Sequence, residues 1–290
     1  MDTANLSAFL AVAEHASFSR AADQLHLTQP AISKRIATLE QQLSARLFDR
    51  IGRHVTLTEA GRALKPRAEQ IISALSDTHR ALSNLSSRVQ GRLSLATSHH
   101  IGLHRLPGVL RTFTLNYPEV ALDIDFLDSE VAYDKVMHGE IELAVITLAP
   151  AIEPPIVGRI IWNDPLDFVV APEHPLAAAA NVSLAELAAY PAVFPGANTF
   201  THNVVSQLFQ EHGVTPQISM STNYLETIKM MVSIGLAWSV LPRTMLDQQV
   251  TVLRLPGVAL QRQLGVIWHS GRTLSNAARA LIEELDRNQM

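Results

Sequence analysis

Between Ser17 and Leu43 the chain reads SFSRAADQLHLTQPAISKRIATLEQQL, two short helical patterns separated by a tight polar turn. In the second pattern Ile32, Ile36, Leu39 and Leu43 recur in steps of four, three and four, an apolar stripe at helical period. Gln29, Ser33, Lys34 and Arg35 lie between them and carry hydrogen-bonding or charged groups. Thr28 is placed as an N-cap and Pro30 falls in the first turn, where its missing N–H costs little. In the first pattern Ser17 is the cap and Phe18, Ala21, Ala22 and Leu25 point inward. The small Ala21-Ala22 pair lets the second helix cross close over the first. Such a pair predicts a helix-turn-helix over about residues 18–37, its second helix shaped for a major groove. A plain helical hairpin in an all-α domain shares this pattern, and the flanking sequence has to decide.

Residues 4–15 predict a buttressing helix with Leu6, Phe9, Leu10 and Ala13 on one face, and Leu47 and Phe48 close the small core. Ile51 to Leu57 reads as a short hairpin, a wing that brings Arg50 and Arg53 toward phosphates or a minor groove. From Thr58 to about Val89 runs a long helical pattern ended at Gly91. Its Leu64, Ala68, Ile71, Leu75, Thr78, Leu82, Leu85 and Val89 alternate in steps of four and three, the period of a coiled-coil seam. A dimer joined there can read two half-sites, and intramolecular packing is the other use of such a face. Pro66 removes a backbone hydrogen bond and predicts a kink.

Charge is divided along the chain. Residues 1–92 hold 12 Lys and Arg against 8 Asp and Glu, whereas residues 93–290 hold 11 against 19. The net −4 therefore hides a basic N-terminal part suited to phosphates. Cysteine is absent, which excludes disulfides and thiolate metal sites. No apolar run approaches the roughly 18 residues of a membrane span, and the start lacks a basic-then-apolar secretory pattern. The expectation is a cytoplasmic, nucleoid-associated protein without a membrane partner.

Five blocks in order resemble one family. They are Leu6-Ser7-Ala8-Phe9-Leu10-Ala11-Val12-Ala13-Glu14, Ser17-Phe18-Ser19-Arg20-Ala21-Ala22, Leu27-Thr28-Gln29-Pro30-Ala31-Ile32-Ser33, Leu47-Phe48-Asp49-Arg50 and Leu57-Thr58-Glu59-Ala60-Gly61. Together they are similar to the LysR-type transcriptional regulators. The resemblance implies an α+β two-domain chain: a winged helix-turn-helix over 1–57, a linker and dimerisation helix over 58–90, and an α/β effector-binding domain over 91–290. It implies double-stranded promoter DNA as partner, a small-molecule co-inducer, and homodimers associating into homotetramers, with RNA polymerase as a possible further partner. Gln29, Pro30, Ser33, Lys34 and Arg35 are the expected recognition-helix contacts, with Ser19, Arg50 and Arg53 on the backbone.

Beyond Gly91 strands and helices alternate: strands at Arg92–Thr97, Val120–Phe126, Leu143–Thr147, Leu166–Ala171, near Ile218 and at Leu236–Val240. Helices fall at Pro107–Tyr117, Val131–His138, Ser183–Ala189, Val204–His212 and Leu274–Arg287. This predicts an α/β domain with a largely parallel sheet. Two such halves resemble the periplasmic-binding-protein-like (type 2) effector domain of the family, the chain crossing near Trp162 and again near His269. Subdomain I is then 91–161 with 269–290, and subdomain II 162–268.

Ligands of open α/β sheets bind beyond the carboxyl ends of strands. That rule selects Ser98, His99, His100 and Thr147 from the first half, and Asn198, Thr199, Thr201, Asn223 and Tyr224 from the second. Hydroxyls, amides and imidazoles there suit a small, polar, anionic effector, although Ser, Thr and Asn equally serve as helix caps. His100 and His104 have the i,i+4 spacing that can chelate a metal, but no carboxylate or cysteine nearby in sequence completes a site, so neither metal nor cofactor is expected. An enzyme or metal-sensing domain fused to a DNA-binding module is the competing reading. No G-x-S-x-G elbow, G-x-x-x-x-G-K-[ST] loop or H-E-x-x-H pair supports catalysis, and Glu226 and Asp164 stand as isolated carboxylates.

Overall fold

A computed structural model describes residues 1–51, 54–86 and 88–288, of Ile51 and His54 the backbone alone. Two compact units result, Met1–Ser86 with His138–Glu140, and Ser87–Met137 with Ile141–Met290.

The first unit contains α1 (Thr3–His15), α2 (Phe18–Gln24), α3 (Gln29–Leu43), β1 (Phe48–Ile51), β2 (His54–Leu57) and α4 (Glu59–Ser83). Side-chain caps start each helix: Asp2 accepts from Ala4 N, Ser17 from Arg20 N, Thr28 from Ala31 N and Thr58 from Gly61 N. Leu6, Phe9, Val12, Phe18, Ala21, Ile32, Ile36, Leu39, Leu47 and Phe48 form one buried core. Leu43, the last member of the stripe, is instead 39% exposed where α3 ends at Ser44. β1 and β2 pair antiparallel.

Gly61 lets α4 start close to the core, because a Cβ there would lie 2.2 Å from the Leu47 carbonyl oxygen. The helix runs unbroken through Pro66 but stops at Ser83, short of the expected Val89. Ser83, Asn84 and Ser86 compete with the helix through local hydrogen bonds, and Ser86 Oγ indeed donates to Ser83 O.

The second unit contains β3 (Gly91–Thr97), α5 (His99–His104), α6 (Leu106–Asn116), β4 (Val120–Phe126), α7 (Ser129–Met137), β5 (Leu143–Thr147) and β6 (Ile156–Val170). It continues with α8 (Leu184–Ala188), β7 (Pro191–Phe194), α9 (Phe200–Glu211), β8 (Gln217–Ser221), α10 (Leu225–Ser233) and β9 (Ser239–Pro242). β10 (Thr251–Val252), β11 (Leu260–His269) and α11 (Asn276–Arg287) complete it. The main sheet has the order β10-β6-β11-β5-β3-β4, with β9 also on β6.

That sheet corrects the expectation of largely parallel pairing. Only β3 with β4 and with β5 is parallel there, whereas β6, β9, β10 and β11 pair antiparallel. The cause is the double crossing: the chain leaves the first half on β6 and returns on β11, and two strands travelling in opposite directions make an antiparallel ladder. β6 begins at Ile156 rather than Leu166, since solvent faces its opening residues and blurs the alternation. On the return, Leu264 and Val266 already pack with Leu93, Phe113 and Leu281 in the first half's core, while Leu260 packs with Phe168 and Trp238 in the second. The chain therefore recrosses around Gln261–Gln263, ahead of His269. α11 returns to the first core through Leu281 and Leu285.

Candidate functional site

On the first unit, α3 presents Gln29, Pro30 and Lys34 to solvent, with Ser33 and Arg35 half-buried beside them. Gln29 Nε2 donates to Ser33 Oγ at 3.0 Å, so the two act as one polar patch. Arg35 reaches back to the Ala4 carbonyl at 3.4 Å, tying α3 to the N-terminus of α1. Ser19 is exposed on α2, and the Arg50 guanidinium carbon lies over the Phe18 ring, 4.1 Å from its centre. Arg53 lies outside the described residues.

The second unit has a cleft between its two halves, about 470 Å³ including its open mouth. Seven of the residues expected from sequence line it: Ser98, His99, His100, Thr147, Thr199, Thr201 and Asn223. Two do not. Asn198 is exposed on the loop before α9, and Tyr224 is 53% exposed, its ring packed against His99 with centroids 5.1 Å apart. Both follow a strand end as the rule requires, but loop direction, which the rule does not supply, turns them outward.

Helix starts build much of the wall. Thr199 caps α9, accepting from His202 N at 3.1 Å and donating to Gly196 O at 2.8 Å. Ser98 occupies the N-cap of α5 yet makes no capping bond, leaving its hydroxyl available to the cleft. Asn223 accepts from Gly196 N and donates to Asp128 Oδ2 at 2.7 Å, joining the halves. A second clasp is Glu130, whose carboxylate accepts from Phe200 N at the first turn of α9. Burial foremost, with the charges of Asp128 and Asp134 adding, pushes the Glu130 carboxyl up, and the Phe200 N–H opposes this.

Floor residues come from the crossing strands. Asp164 on β6 and Arg262 on β11 are register partners, and Arg262 Nε donates to Asp164 Oδ2 at 2.9 Å. Arg105 donates to the other carboxylate oxygen at 3.1 Å, and Arg262 Nη1 donates to Thr201 Oγ1 at 2.8 Å. Asp164 is wholly buried and Arg262 nearly so, yet Arg262 Nη2 has no partner. Two guanidinium groups against one carboxylate leave a positive charge with an unused donor at the cleft. Beside it His100 is 5% exposed with neither ring nitrogen bonded. Burial first, then the Arg262 charge, pushes its pKa down to about 3, so the ring is neutral near pH 7.

Asp128, Ser129, Glu130 and Arg262 were not anticipated from sequence, and Asp164 only as an isolated carboxylate. One signal was available: Leu260, Arg262, Leu264 and Val266 share one face of β11, and an arginine in an inward series marks a buried charge.

Comparison with known proteins places both units. Residues 3–62 match the family described as bacterial regulatory helix-turn-helix protein, lysR family, and residues 86–289 match the LysR substrate binding domain. An uncharacterized HTH-type transcriptional regulator of Escherichia coli K12, YnfL, is 31% identical over 281 residues, covering 95% of this chain and 94% of its own. The crystal structure of full-length CbnR complexed with its target DNA superposes with a TM-score of 0.67 at 23% identity, covering 99% of this chain and all of the other. The effector binding domain of QuiR in complex with shikimate superposes with a TM-score of 0.63 at 20% identity, covering 68% of this chain and 96% of the other. Among the described residues no helix is long and apolar enough to cross a membrane.

Proposed function

This chain belongs to the LysR family of bacterial DNA-binding transcriptional regulators, and on that premise we propose that a small anion bound in the cleft, a carboxylate in the first instance, sets its regulatory state. The observation that carries this reading is Arg262, buried at the cleft floor with an unused Nη2 donor beside an excess positive charge. An anion reaching Nη2 would complete the charge-assisted bonding that Asp164 supplies only in part. Ser98, His99, Thr147 and Thr199 would supply polar contacts at the walls. Asp128 and Glu130, which already clasp the two halves, make closure the step an effector biases. QuiR, a neighbour in fold, binds a carboxylate, which favours the same chemical class here.

DNA is read by α3, with Gln29, Pro30, Ser33, Lys34 and Arg35 at the groove and Ser19, Arg50 and Arg53 on the sugar-phosphate backbone. Two copies pair through residues 58–90. In support, Ile71, Leu75, Leu82 and Leu85 of the seam are 38–83% exposed within one chain, apolar surface that a second copy would cover. Dimers pair into tetramers on promoter DNA in the cytoplasm, within reach of RNA polymerase. The protein acts by binding and turns nothing over.

A thermal-shift screen of the full chain against small carboxylates, hydroxy acids and oxyanions tests the effector class. At a hundredfold excess over Kd a true effector stabilises by about 2.7 kcal/mol. Ser98→Ala, which removes no capping bond, should melt like the parent and lose part of that shift. Failure of every anion, with a shift from apolar or aromatic compounds, would overturn the reading.

A further inference from the structure

The six-residue segment His99-His100-Ile101-Gly102-Leu103-His104 forms α5, so His100 and His104 stand one turn apart with ring centroids 4.9 Å from each other. Sequence supplies no carboxylate nearby, but the fold does: Glu226, in the first turn of α10 on the opposite half, places Oε1 3.2 Å from His104 Nε2. One ligand atom from each of the three lies within 4.8 Å of the others. We propose that His100, His104 and Glu226 form a binding site for a divalent transition cation, Zn²⁺ above all, that bridges the two halves of the domain.

Two observations support the site independently. First, His100 is 95% buried and both its nitrogens lack a partner, a state that costs free energy in any protein unless something fills it. Second, His104 and Glu226 open onto a recess also lined by Lys229 and Met230, which gives a cation a route in. Two imidazoles and one carboxylate suit Zn²⁺ and leave a fourth position for water.

The surrounding charges set the balance. Arg105 and Arg262 face His100 from the floor, with Asp164 compensating one of them, while Lys229 is paired with Asp247. The remaining positive charge opposes a dication, and the Glu226 carboxylate offsets it. A bound cation would replace the single His104–Glu226 hydrogen bond with a bridge from α5 to α10, tightening closure of the halves. The site stands whether or not the cleft takes an anion.

The test uses the full chain, stripped with a chelator and titrated with Zn²⁺ against a chromophoric competitor, with Co²⁺ as a spectroscopic stand-in. The expected result is one tight Zn²⁺ per chain and the intense visible bands of four-coordinate Co²⁺. Loss of one ligand should weaken binding at least as much as loss of an outer partner does, about 10–100-fold. His104→Ala and Glu226→Gln, both on partly exposed side chains, should each produce that loss and abolish the Co²⁺ bands while melting like the parent. Tight binding that survives both substitutions would place the cation elsewhere and overturn the proposal. So would weak binding spread over several of the chain's 12 histidines.

Discussion

Replacing Asp164 by Asn tests the account of the cleft floor, because it keeps the shape of the side chain and removes only its charge. Asp164 has no exposure at all and accepts from Arg262 at 2.9 Å and Arg105 at 3.1 Å. Arg262 cannot turn to solvent, its side chain being 5% exposed, whereas Arg105 at 20% can partly do so. Asp164→Asn therefore strands a buried guanidinium, and breaking a buried pair from one side costs about 3–5 kcal/mol. Removing Arg262 as well, as Met, takes away the stranded charge, so the double variant should recover a coupling of about 2 kcal/mol relative to the sum of the singles. The readout separates the two units naturally, since Trp162, Trp238 and Trp268 all lie in the second. Urea denaturation followed by tryptophan fluorescence should show the transition of Asp164→Asn displaced to lower denaturant with its slope unchanged. A cost below about 1 kcal/mol would mean that water reaches the pair and that the cleft holds no uncompensated charge.

Other consequences follow from the same geometry. Lys34→Ala should weaken DNA binding and reduce the slope of log affinity against log salt by about 0.9, one phosphate contact's worth, and an unchanged slope removes Lys34 from the phosphate contacts. For His100, whose pKa falls from 6.5 unfolded to about 3 folded, the unfolded chain binds more protons between those values. Stability must therefore fall as the solution is acidified below pH 6.5, by at most about 1.4 kcal/mol per pH unit. His100→Gln should flatten that dependence in denaturation midpoints compared between about pH 7 and about pH 5, and parallel curves would contradict the burial of the ring. Gly61→Ala forces a Cβ against the Leu47 carbonyl at 2.2 Å and should cost about 1–3 kcal/mol in helix melting followed by circular dichroism. Conversely Ser44, at φ +50° after α3, should gain roughly 1 kcal/mol as Gly, and a lower melting temperature would show that its side chain matters more than its backbone.

Local physics made the first unit legible. Helix caps, the apolar period of α3 and the turn before it depend on residues within a few positions of one another, and Ser17 and Thr28 both cap as their spacing predicts. The ends of α4 and β6 were less legible, because weak helix formers and solvent-facing strand residues leave little periodic signal.

In the second unit the strand-end rule led to seven residues of the cleft, since strand ends and helix starts are themselves local features. Whether a loop residue faces the cleft is not local, so Asn198 and Tyr224 turn away. Chain order alone determined the family, the two-unit plan and the polar character of the cleft. Pairings across long separations were decided only by the tertiary structure: Asp164 with Arg262, Glu130 with Phe200, and His104 with Glu226. In each pair the partners are brought together by the antiparallel crossing of β6 and β11 or by closure of the halves. A charge acquires its meaning from what burial places beside it, and no stretch of chain carries that neighbour in advance.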